Sequence, residues 1–173
     1  MKKRMTMMMG LVLLSMAGLA VMPLLLQAQS DRGTADVTIA ENKITIEYWR
    51  PSLNGRDMLG LLPAGRVWRL GMNQGTMLET AITLTFGEQN VAPGKYRLWA
   101  RKDADDNWQL IINTKFGGHD PDNDVAVIDL KRTTAETPVE TFTITLTTGE
   151  GTGGVFTMEW DTLVLTGAFM VKK

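Results

Sequence analysis

The residues whose types and spacing could do chemistry gather between Pro63 and Thr76, Pro-Ala-Gly-Arg-Val-Trp-Arg-Leu-Gly-Met-Asn-Gln-Gly-Thr. Two arginines, a tryptophan and an asparagine stand there among four turn-forming residues, and Val67–Leu70 alternates as a short strand would. Arg56, Arg69, Asn73 and Asn113 converging beside Trp68 would present fork-shaped donors and amides next to an aromatic face. That composition suits a sugar, a carboxylate or a phosphate. With Thr76 and His119 they form the candidate ligand-binding group. A structural role competes: Trp68 in the core, Arg69 on an acid or on loop carbonyls, Asn73 and Gly75 shaping a turn. Long ordered loops supply many orphan carbonyls for arginine to satisfy.

No catalytic constellation accompanies this group. His119 is the single histidine, and the chain has no cysteine, which removes His-His zinc sites, thiolate ligands, disulfides and a cysteine nucleophile. Ser52 lies in Pro51-Ser52-Leu53, outside any G-x-S-x-G elbow, so only geometry could argue for a Ser52–His119–Asp triad. Asp120, Asp122 and Asp124 alternate as a calcium loop begins. Val125 then stands where the sharp turn needs glycine, and Lys131 where a bidentate glutamate belongs, so the EF-hand is excluded and an irregular calcium site is the fallback. A solvated turn explains these acids more simply. Gly149, Gly151 and Gly154 match G-x-G-x-x-G formally, but Val155–Trp160 reads as a strand where the dinucleotide motif needs a helix. Gly87–Lys95 likewise fails as a P-loop, with Tyr96 where Ser or Thr must hold magnesium. A pair of carboxylates for glycoside hydrolysis stays open, since it needs only two acids at a set separation.

The elements that must position these residues are strands. Val37–Ile39 and Ile44–Trp49 alternate around a turn at Glu41-Asn42, predicting a hairpin. Further strands are expected over 81–86, 96–100, 108–113, 125–130, 139–147, 155–160 and 163–171, each rich in Val, Ile, Thr or aromatics. Ala92-Pro93-Gly94, Asp103–Asn107 and Gly149–Gly154 punctuate them, and a long ordered loop is expected over Pro51–Ala64. Eight to ten short strands at this spacing predict an all-β fold, an antiparallel β-sandwich with either jelly-roll-like or immunoglobulin-like topology.

The N-terminus carries a different signal. Lys2, Lys3 and Arg4 precede an uncharged run from Met5 to Leu26, and Leu26-Gln27-Ala28 offers a cleavage point. We therefore expect residues 1–28 to be a signal peptide, with an uncleaved membrane anchor as the alternative. Residues 29–34 would be a short tail and residues 35–173 a single domain, exported to the periplasm or beyond. Cleavage leaves 15 basic against 19 acidic residues, a net charge of −4, with no basic stripe to suggest nucleic acid.

Several of these segments together resemble a known family. Tyr48-Trp49-Arg50-Pro51-Ser52 with Gly55-Arg56, Val67-Trp68-Arg69-Leu70-Gly71 with Asn73 and Thr76, Pro93-Gly94-Lys95-Tyr96 and Trp108–Asn113 are similar to the exported bacterial family called domain of unknown function 2911. Glu140–Ile144 and Glu159-Trp160 match its closing strands, so the resemblance runs from about Ala35 to Val171. It implies an exported or envelope-associated sandwich-like domain and brings no catalytic residues to transfer. The sequence departs from that pattern at Met72, where a small residue is usual, and at Gly118-His119-Asp120, where an aromatic-Asp pair often follows the glycine. The leading expectation is thus a non-enzymatic module binding a small ligand or glycan. A carboxylate-based hydrolase or isomerase is the first alternative, and a structural domain docking an envelope protein is the second.

Overall fold

The computed structural model describes residues 32–172. Their only helical element is a three-residue 3-10 turn, Pro121–Asn123. The nine strands are β1 Arg32–Ile39, β2 Asn42–Trp49, β3 Met77–Thr80, β4 Thr83–Phe86, β5 Gln89–Val91, β6 Gly94–Lys102, β7 Trp108–Asn113, β8 Asp124–Thr148 and β9 Gly153–Lys172. They form one antiparallel sheet in the order β1-β2-β3-β6-β7-β8-β9-β4-β5. The all-β expectation holds. The signal or anchor segment lies outside the described residues, among which no helix is long and apolar enough to cross a membrane.

The sheet is continuous because two expected pairs of strands are each a single long one. β8 has 25 residues; Trp108–Asn113 of β7 pair with its first part, and β9 pairs with it from Lys131 onward. Its register slips on either side of Val139, and Pro138, which has no N–H to give a ladder, falls inside that irregularity. β9 likewise runs through Asp161, whose φ of 53° breaks the extended form between the two strands expected there. Strands of this length cannot lie flat in a twisted sheet. Ile44, Ile46 and Leu98 from one end of the strand order and Leu84, Phe86 and Phe156 from the other meet in one apolar cluster.

Local chemistry explains the other departures. The first hairpin forms as expected, but its two turn residues are Ala40 and Glu41, at φ 48° and 65°, with the Asn42 amide donating to the Ala40 carbonyl at 2.6 Å. β1 begins at Arg32, so Arg32–Thr34, expected in a tail, pair with Trp49–Glu47. The strand expected over 81–86 is shortened to β4, and an unexpected strand, β3, ends just before it at Thr80. Thr80 causes the break: its hydroxyl donates to the Ile82 carbonyl at 2.7 Å and accepts from the Ile82 N–H, closing a turn. Val67–Leu70 is no strand either, and only Trp68 bridges to β6, exchanging both backbone bonds with Ala100 at 2.7 and 2.8 Å.

Candidate ligand cleft

Four polar side chains of the loop from Pro51 to Thr76, those of Arg56, Asp57, Arg69 and Thr76, bond within the loop itself. Arg56 donates to the carbonyls of Leu53 at 3.0 Å and Ser52 at 3.1 Å. Arg69 donates to the Asn73 carbonyl at 2.8 Å, and Asn73 takes a left-handed φ of 55°. The fully buried Thr76 hydroxyl donates to the carbonyl of Leu70, itself at φ 51°. Gly71, at φ 148°, lies so close to Trp49 that a Cβ there would meet its carbonyl oxygen at 2.7 Å. These contacts hold residues 69–76 in one shape.

A second satisfied network covers the outer face of β6 and β7. Asn113 is fully buried; its amide donates to the Asp120 carbonyl at 2.8 Å and to the Asp124 carboxylate at 2.7 Å, while its oxygen accepts from the Lys115 N–H at 2.8 Å. His119 Nε2 bonds the same Asp124 carboxylate at 3.0 Å, and its ring meets Trp99 edge-on with centroids 5.7 Å apart. The Lys115 ammonium, followed by the Asp122 N–H, holds the Asp120 carboxyl below its ordinary value. Asp120, Asp122 and Asp124 do not gather into a metal-binding group among the described residues. The Ser52 hydroxyl bonds Thr141 at 3.1 Å, and no bond joins it to His119.

A concavity of about 640 Å³ lies beside β6 and β7 and is also internally paired. Within it Arg101 bonds Gln109 at 2.9 Å, Gln109 bonds Asp129 at 2.8 Å, and Asp103 holds Asn107. The Asn107 side chain and N–H draw the Asp103 carboxyl below its ordinary value. A glycosidase-type acid needs the opposite shift.

A cleft of about 300 Å³ between the loop and the end of β6 has a different character. Trp68, Trp99 and Trp160 line it. Trp68 stacks on Trp160 with centroids 5.5 Å apart and planes 15° from parallel, and Phe142 meets both edge-on. Met58, Leu61 and Leu62 of the loop supply an apolar lip, with Leu61 69% exposed. Arg66 and Arg69 supply the charge. The indole N–H groups of Trp99 and Trp160 are buried and have no hydrogen-bond partner.

Of the residues expected to bind, the structure brings Trp68 and Arg69 to this cleft and sets His119 behind its Trp99 wall. Arg56, Asn73, Thr76 and Asn113 are not among its lining residues. Trp99, Trp160 and Arg66 were not anticipated as site residues. Trp99 carried a readable signal: next to the inward Leu98 and Ala100 of β6, alternation assigns a large apolar ring to the outer face, where something must cover it. Trp160 carried none, because its stacking partner Trp68 arrives from a loop distant in sequence.

No curated protein and no solved structure matches the chain. The family model described as "Protein of unknown function (DUF2911)" matches residues 30–168, and the chain belongs to that family.

Proposed function

We propose that this chain is an exported binding module, without catalytic chemistry of its own, that holds a small ligand in the cleft beside Trp68. We read its sheet as folding over on itself in the manner of a sandwich, with the Pro51–Thr76 segment closing one edge. The N-terminal charge and apolar pattern support export. One observation carries the binding reading: a cleft rich in aromatic surface also holds an exposed arginine, Arg66, whose side chain no residue pairs. An unpaired charge beside apolar surface gives a small ligand a polar anchor and an apolar wall at once.

Thermal shift of the processed protein against organic acids, phosphates, sugars and calcium, the last with a chelator control, tests the reading. A ligand at about 100 times its Kd should add about 2.7 kcal/mol of stability. Arg69→Ala is ambiguous as a control, because Arg69 also bonds the loop carbonyl of Asn73. Arg66→Ala is cleaner: the side chain is exposed and makes no hydrogen bond or ion pair. Loss of the shift in folded Arg66→Ala supports the cleft. A shift that persists in that variant and in Trp99→Ala places binding elsewhere.

A further inference from the structure

We infer that the cleft selects an organic anion with a compact apolar body, a carboxylate on a short aliphatic or aromatic frame, and discriminates against sugars. The inference rests on the cleft being the binding site. Its basis is the one-sidedness of the lining. Arg66 and Arg69 donate, while Met58, Leu61, Leu62 and Val67 are apolar. No side chain that lines the cleft carries a carboxylate, an amide or a hydroxyl. The Trp68 carbonyl already accepts from Ala100.

A sugar brings as many hydroxyl donors as acceptors, and no side chain here offers those donors an acceptor in place of water. A carboxylate accepts only, so both charged side chains of the cleft can serve it. The guanidinium of Arg66, unpaired and at the rim, can take such an oxygen in fork geometry, as Arg69 can with the donors it does not spend on Asn73. The ligand's apolar body would lie against the indole faces beneath the Met58–Leu62 lip. At about 300 Å³ the cleft matches the small end of ligand pockets, which fits a body of modest size.

Quenching of the tryptophan fluorescence of the processed protein by octanoate is the direct test, with octanol, acetate, inorganic phosphate and maltose as comparison probes and melting temperature measured in parallel. Saturable quenching by octanoate is expected at concentrations about tenfold or more below those octanol and acetate need. Arg66→Gln should bring octanoate down to the level of octanol while leaving the melting temperature of the free protein unchanged. Equal binding of octanol and octanoate would overturn the anionic head, and tight binding of phosphate or acetate alone would overturn the apolar body. Maltose binding in preference to octanoate would overturn the ligand class and leave the cleft as the site. If no probe, anionic, neutral or sugar, changes fluorescence or melting temperature, the cleft reading itself falls.

Discussion

The loop that carries His119 and the cleft beside Trp68 meet at Trp99, yet they use polar groups in opposite ways. Around His119, the Asn113 amide, the Asp124 carboxylate, the Asp120 carbonyl and the Lys115 N–H close on one another. Around Trp68, the Trp99 and Trp160 N–H groups and the Arg66 guanidinium are unspent. The first region has the residue types usually associated with catalysis, and its hydrogen bonds are already committed to holding a loop on the sheet. Chemistry toward a partner requires capacity that folding has not used, and that capacity lies in the less polar region.

The largest expected effect tests the satisfied side. Asn113→Ala removes three hydrogen bonds at a fully buried position and should cost about 2–4 kcal/mol in urea unfolding, with the cleft's ligand response surviving once the variant is folded. A cost under about 0.5 kcal/mol would mean the network carries no load. Gly71→Ala should follow, destabilising by about 2 kcal/mol, because the new Cβ would meet the Trp49 carbonyl in a left-handed backbone. Arg66→Ala should change stability by less than about 0.5 kcal/mol and yet remove the ligand-induced melting shift. That split between stability and binding sharpens the contrast most.

The smallest effect concerns acid. Asp103 and Asp120 have folded-state pKa values below their ordinary 3.8, so their contribution is fully present above about that pH and fades as pH falls through the lowered values. Asp103 is exposed and Asp120 only partly buried, so the contribution is slight. Asp120→Asn should shallow the low-pH limb of a stability profile, measured by urea midpoint between pH 5 and 2, with a slight loss of stability at pH 5 and above that vanishes near pH 2. An unaltered limb would show that Lys115 and Asp120 do not pair in solution.

Much of the fold was legible. Alternation in Ile44–Trp49 reports which side of a strand faces the core, and the turn chemistry of Asp103–Asn107 lies between β6 and β7 as expected. The joining of strands into β8 and β9 was not legible, because Pro138 and Asp161 read as terminators when only local geometry is considered. A sheet that supplies new partners on both sides can carry a strand through such a residue at the cost of a register slip.

The candidate site divides the same way. Sequence marked Trp68 and Arg69, whose surroundings of glycine and asparagine are written within a dozen residues. It could not mark Trp160, whose ring stacks on Trp68 across some ninety residues of chain, nor show that Asn113 turns toward Asp124 and away from Arg69. By itself, then, the sequence determined that the chain makes strands, where it turns, and which family it belongs to, since periodicity and turn chemistry are local properties. Only the tertiary structure decided which donors are spent and which are left over, because a hydrogen bond is satisfied by whatever the fold brings within about 3 Å, however distant in sequence.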